Sequence, residues 1–186
     1  MNKIKPIILV LVSLATLPLS QTAFACDIPE KTITEFIQRD LRGERLSHEV
    51  SKEIDKVQTD NQFEPAWDAS VVVTDYKIES IKIDGDIALA SVLFNNSWTT
   101  SGKFDEGNVI EAHVEIHLKK IHGCWKISPP FTMPRIYPEA LLKHFQELIK
   151  EDKRTHVEKR ILLEHEKQLN ALRAYVDYVK RKNQAK

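Results

Sequence analysis

Apolar residues recur along this chain with two different spacings, and the places where the spacing changes divide it into segments. Ile33, Phe36, Ile37 and Leu41 fall on one face of a 3.6-residue period and predict a helix from about Pro29 to Arg42. Asp27 with Glu30 three residues later forms a capping box, Pro29 suits the first turn, and Gly43 supplies a stop. Ser47 caps a second helix that carries Val50, Ile54 and Val57 on one side. Thr59 to Ala66 is polar, contains Pro65 and reads as a loop.

From Val71 the period falls to two. Val71–Ile83, Ile87–Thr100, Asn108–Ile121 and Cys124–Ser128 predict four strands, separated by Asp84-Gly85-Asp86, a Ser101–Gly107 loop and His122-Gly123. Such short turns imply antiparallel neighbours. Matching apolar faces sets Ile78 opposite Val92, Tyr76 opposite Phe94 and Val72 opposite Trp98. The next pair is predicted with Val92 opposite Ile116, Phe94 opposite Val114 and Trp98 opposite Ile110. The last hairpin sets Ile127 opposite Leu118 and Trp125 beside Lys120. One inward apolar face results, from Val72, Tyr76, Ile78, Ala88, Ala90, Val92, Phe94, Trp98, Ile110, Ala112, Val114, Ile116, Leu118, Trp125 and Ile127. A tight Asp84-Gly85 turn conflicts with the first register by one residue, so a bulge is expected nearby. Ile81, Ile83, Ile87, Leu89 and Leu93 are left on the other face, where the C-terminal helix is the expected cover.

Pro129-Pro130 and Pro134 end the sheet, and the helical period returns at Pro138. Leu141, Leu142, Phe145, Leu148 and Ile149 form one stripe; Glu151 to His156 lacks apolar residues and predicts a break. Leu162, His165, Leu169, Leu172, Val176 and Val179 then alternate by three and four, a short heptad seam. The seam fits packing on the domain itself or self-association between copies.

The N-terminus changes the setting in which this pattern folds. Lys3 and Lys5, an apolar run from Ile7 to Leu19, and small residues Ala23 and Ala25 before Cys26 make residues 1–25 a secretory signal peptide. Cleavage would leave Cys26 first, in a periplasmic or secreted protein. Acylation of that cysteine is the alternative, and would give a lipid-anchored protein in the envelope; bulky Phe24 argues against it. Cys124 is the only other cysteine, so an oxidising compartment admits one intramolecular bridge, Cys26–Cys124. Closing a loop of that length would stabilise the fold by about 4–5 kcal/mol on the chain-entropy view. Charge gives no reason to expect nucleic acid: residues 26–138 carry 13 basic and 19 acidic side chains, and residues 139–186 carry 12 and 8. Membrane contact is expected only through lipidated Cys26.

Two N-terminal helices followed by the hairpin Tyr76-Lys77-Ile78-Glu79-Ser80-Ile81-Lys82-Ile83-Asp84-Gly85-Asp86-Ile87-Ala88 and the closing Gly123-Cys124-Trp125-Lys126-Ile127 resemble the nuclear transport factor 2-like superfamily, in an exported bacterial-type form with an added C-terminal helix. The resemblance covers about residues 28–130. It implies an α+β fold: two N-terminal helices packed on a curved antiparallel sheet of about four strands, followed by a long C-terminal helical segment. The expected organisation is a signal peptide at 1–25, the α+β domain at 26–137 and a helical extension at 138–186. The resemblance also implies a cone, with Tyr76, Phe94, Asn96, Trp98 and Trp125 as pocket or core candidates. Members of such a superfamily serve many ends, so the fold selects none.

Chemistry is sparse in the sequence. His113, Glu115 and His117 alternate on one strand, but an extended backbone separates the two histidines by about 13–14 Å, too far for one ion with ligand bonds near 2 Å. His165 has no second histidine four residues away. No nucleophile elbow or phosphate loop occurs. No catalytic residue, metal ligand or cofactor is therefore assigned. The expectation is an exported, non-catalytic binding protein with an unidentified protein partner. The alternatives are a carrier of a small apolar ligand in the cone, and a small acid–base enzyme of the isomerase or dehydratase type.

Overall fold

The structure, a computed structural model, describes residues 28–46, 54–59, 69–100 and 103–185. The expected signal peptide, Cys26, the Asp27 half of the expected capping box, and Ser47 and Val50 of the expected second helix lie outside the described residues. The fold is α+β with a mixed sheet. In chain order the elements are α1 (Pro29–Leu41), α2 (Ile54–Val57), β1 (Val71–Val72), β2 (Asp75–Asp84), β3 (Ile87–Thr99), β4 (Ile110–Ile121), β5 (Cys124–Ser128), β6 (Arg135–Ile136), α3 (Pro138–Thr155) and α4 (Lys159–Gln184).

Helix α1 begins with Ile28 in an extended conformation at its N-cap, without a side-chain cap, and Pro29 in the first turn. It ends where Gly43 adopts φ +80°, a left-handed geometry that a side chain disfavours, and donates its N–H to the Asp40 carbonyl. Its buried face (Ile33, Phe36, Ile37, Leu41) packs on Ala88, Ala90, Val92, Phe94, Ile116, Leu118, Trp125 and Ile127. This is the first core.

The sheet runs β5-β4-β3-β1-β6, with β2 also paired to β3. All three predicted β1/β2–β3 partners are found: Tyr76 with Phe94, Ile78 with Val92, Val72 with Trp98. The expected bulge falls between Ile78 and Ser80, leaving Glu79 as the extra residue. The β4–β5 register also stands as predicted, Leu118 with Ile127 and Lys120 with Trp125. The connecting His122-Gly123 turn has positive φ at both residues, the twist a two-residue hairpin favours.

The β3–β4 register differs. Val92 pairs with Val114, Phe94 with Ala112 and Ala90 with Ile116, two residues away from the predicted alignment but with the same side inward. Side-chain period alone cannot distinguish alignments that differ by two. A second bulge lies between Phe94 and Ser97, where Asn96 takes φ +51°. Two residues there oppose one on β4, so the alternation reverses.

The reversal overturns part of the predicted inward face. Trp98 leaves the first core and joins a second, with Val72, Ile136, Leu141, Phe145, Ile149, Leu169, Leu172 and Tyr175. Ile110 is 58% exposed. The first bulge turns Ile81 inward against the first core. The expected cover over the hairpin patch is not seen: α3 and α4 bury their apolar residues at the Trp98 end of β3, and Ile83 and Ile87 remain 58% and 60% exposed.

Strand β1 alternates between the cores, with Val71 and Val73 in the first and Val72 in the second. Strand β6 runs parallel beside it and makes the sheet mixed. Helices α3 and α4 form a hairpin, broken where His156 takes a left-handed conformation. The expected break is present at that position. No helix among the described residues is long and apolar enough to cross a membrane.

Candidate functional site

The most polar interior feature stands at the end of α1. Asp40 occupies the buried stripe one turn after Phe36, so the helix period itself carries its carboxylate inward. Its Oδ2 accepts from Arg45 Nη1 at 3.0 Å and from the Arg135 backbone N–H at 2.9 Å. Arg45 Nη2 donates to the Thr132 carbonyl at 2.7 Å, and Arg135 Nη1 to the Met133 carbonyl at 2.9 Å. Each guanidinium also lies over an aromatic face of the first core, Arg45 over Phe36 at 5.4 Å and Arg135 over Phe94 at 4.7 Å.

Burial pushes the Asp40 carboxyl up to about 6, with Arg45 and Arg135 opposing the rise. Burial likewise pulls Arg135 down to about 10, against the pull of Asp40. Asp40 Oδ1 and Arg135 Nε are buried and have no hydrogen-bond partner among the described residues. The cluster therefore binds α1, the turn after it and β6 into one unit. Its carboxylate oxygen Oδ2 is spent on that junction, and its Oδ1 is the one acceptor left over.

Nearby, Gln38 Nε2 donates to the Tyr76 hydroxyl at 3.1 Å. Tyr76 lies 6.1 Å from Phe94, ring centre to ring centre. The Tyr137 hydroxyl is pushed up by burial and by Tyr76, Asp75 and Glu139.

The five pocket or core candidates are not brought to one place. Tyr76, Phe94 and Trp125 belong to the first core, where Phe94 and Trp125 are buried outright. Trp98 stacks on Tyr175 at 5.6 Å in the second core, with Phe104 edge-on to both rings. Asn96 sits at the bulge and ties the two parts together. Its carbonyl accepts the Tyr175 hydroxyl at 2.7 Å, its Nδ2 donates to Thr74 Oγ1 at 2.9 Å, and its Oδ1 accepts from Lys182 at 2.8 Å. Burial pushes the Tyr175 hydroxyl far up, so it stays a donor.

The helix seam is engaged within the chain. Leu169 and Leu172 are buried, and Leu162, Val176 and Val179 pack around them in the second core. His165 Nδ1 lies 2.6 Å from Asp152 Oδ2 across the α3–α4 hairpin, and its ring is 6.5 Å from Phe145. Of the two readings of this seam, packing on the domain itself is the one seen, and self-association would have to compete with it.

On the outer face of the sheet, His113, Glu115 and His117 follow one another at alternate positions of β4. His113 Nδ1 lies 3.0 Å from Glu79 Oε2, which reaches over from the bulge and also accepts from Ser91 at 3.4 Å. No group of three candidate metal ligands is gathered among the described residues. Down the middle of this face run Ile87, Leu89 and Leu93; Leu89 and Leu93 are half-buried yet belong to neither core. Their cross-strand neighbours are Lys82 and His117 for Leu89, and Lys77 and His113 for Leu93. Cys124 opens β5, and Cys26 lies outside the described residues.

Sequence reasoning missed Asp40, Arg45 and Arg135. A signal was present for two of them. Asp40 interrupts an otherwise apolar stripe, and Arg135 stands between Pro134 and Ile136 in a segment with few other polar side chains. No protein-family model, curated protein or solved structure matches the chain.

Proposed function

We propose that this is an exported, non-catalytic binding protein whose partner is another protein, met on the outer face of β2, β3 and β4. The observation that carries the reading is the stripe Ile87, Leu89 and Leu93, apolar at its centre and edged by Lys77, Lys82, His113 and His117. An apolar strip inside a polar border is the anatomy of a protein interface. The interior offers less to a substrate: α1 fills the inner face of the sheet, and the buried Asp40 is held by two arginines.

The test is capture from the envelope of the native host with wild type and with Leu89→Asp/Leu93→Asp. A stoichiometric protein retained by wild type and lost by the variant supports the reading. Equal retention by both, or none by wild type, contradicts it.

Export through a cleaved signal and a Cys26–Cys124 bridge belong to the same proposal. No free cysteine occurs among the described residues. Thr32 donates to the Trp125 carbonyl at 3.5 Å, which brings the first turn of α1 beside β5. Membership of the nuclear transport factor 2-like superfamily is likewise a proposal, supported by α1 lying across the inner face of an antiparallel β2–β5 sheet.

An acid–base role is the second reading. It rests on Asp40, whose carboxyl is raised to about 6 and keeps one oxygen unpartnered. Turnover of an isomerase- or dehydratase-type substrate that Asp40→Asn abolishes would support that role, and equal turnover by both proteins would set it aside.

A further inference from the structure

Strand β2 is ten residues long and hydrogen-bonds β3 along one edge only, among the described residues. Long bare edges pair with other strands unless something discourages them. Here the discouragement is charge: Lys77, Lys82 and Asp84 are exposed, and none of them forms an ion pair within the described residues. Lys77 and Asp84, of opposite sign toward the two ends of the strand, can complement each other on a second copy.

We propose that β2 is a self-complementary edge through which two copies of this chain join their sheets. The Glu79 bulge determines the fit. With Glu79 as the extra residue, Lys77, Ser80, Lys82 and Asp84 share the outer face, and Ile78, Ile81 and Ile83 share the inner one. Antiparallel pairing about a two-fold axis at Ile81 then sets Lys77 opposite the second copy's Asp84 and Ile78 opposite its Ile83. Ser80 meets Lys82, and Ile81 meets its own counterpart. Every pair keeps both side chains on one face, which the same strand without a bulge would not allow in this register. The Lys77–Asp84 and Ile78–Ile83 contacts each occur twice, as two-fold symmetry requires.

The pairing also accounts for Ile83. It lies on the inner side of β2 opposite Ala88, beyond the part of that face packed on α1, and is 58% exposed. Against Ile78 of a second copy it continues the apolar inner face across the junction. Lys77 and Asp84 then act as selectivity devices, attractive only in this register.

Sedimentation velocity on the full mature chain over a wide concentration range tests the proposal. Wild type is expected to dimerise at micromolar concentration. Lys77→Asp and Asp84→Lys each replace two attractive contacts by two repulsive ones, and each should raise the dimer dissociation constant about tenfold. The combined Lys77→Asp/Asp84→Lys variant restores opposite charges and should return to within about threefold of wild type. All three variants alter exposed side chains, and far-ultraviolet circular dichroism checks that they are folded. A wild-type chain that stays monomeric, a dimer indifferent to the single reversals, or a double variant that fails to recover would each overturn the proposal. So would an edge that takes up a strand of a different protein and not its own copy.

Discussion

The two cores are built in different ways. The first lies between α1 and the regular stretch of β2–β5, where alternate residues point the same way over many positions. The second is assembled from α3 and α4 against single residues of β1, β6 and the far end of β3. In the first core each strand contributes a row. In the second, Val72, Trp98 and Ile136 contribute one side chain apiece. A long strand therefore does not commit its residues to one layer: a bulge with one left-handed residue, Asn96, hands the end of β3 to the other core.

The junction between the cores is the polar cluster. Arg135 turns its guanidinium onto Phe94 in the first core while its neighbour Ile136 is fully buried in the second. Asp40 holds the Arg135 backbone and the Arg45 side chain at that point. The largest mutational effect is therefore expected at Asp40. Asp40→Ala leaves the buried Arg45 guanidinium and Arg135 N–H without their acceptor and should cost about 3–5 kcal/mol, read from urea unfolding. A loss below about 1 kcal/mol, the range of exposed ion pairs, would show that the junction does not hold the cores together.

Core truncations compare the two regions directly. Leu118→Ala in the first core and Leu172→Ala in the second remove fully buried side chains and should each cost about 2–5 kcal/mol. If the junction couples the cores, both variants unfold in one transition by fluorescence and by circular dichroism. Two separated transitions in Leu172→Ala would make the α3–α4 hairpin a unit of its own.

The pH dependence sharpens the same point. The Asp40 carboxyl sits at about 6 in the fold against an ordinary 3.8. The folded state then binds the proton more readily than the unfolded chain, so this group's contribution is fully present below about 4 and is lost as pH rises through about 6. The difference is about 3 kcal/mol. Subtracting the profile of Asp40→Asn from that of wild type isolates it; a difference profile flat from pH 4 to 7 would contradict the assigned burial. The smallest effect is expected from Tyr175→Phe, which removes only the hydroxyl bond to the Asn96 carbonyl and should cost about 1 kcal/mol. A cost near zero would mean that this bond does not fasten α4 to the bulge.

Much of the first core was legible because period and turn chemistry agreed. Gly43 marked the end of α1, and Asp84-Gly85 and His122-Gly123 marked hairpins whose faces could be matched residue by residue. The β3–β4 alignment was not legible, since Val92 meets Val114 or Ile116 equally well by apolar character. Nor was the reversal at Asn95-Asn96, because no tight turn next to it fixes a register that the extra residue would contradict, as Asp84-Gly85 does for the first bulge. Strand β6 is two residues between prolines and helix, too short to show a period. Its polar cluster depends on Asp40, Arg45 and Arg135, far apart in sequence, and only their positions among apolar neighbours gave a hint.

The division into two cores is tested most directly at Trp98, whose indole the plain alternation would place beside Phe94 over α1. Nuclear Overhauser contacts from the Trp98 ring should reach Tyr175 and Phe104. Contacts from that ring to Ile33 or Ile127 instead would place it in the first core and contradict the account.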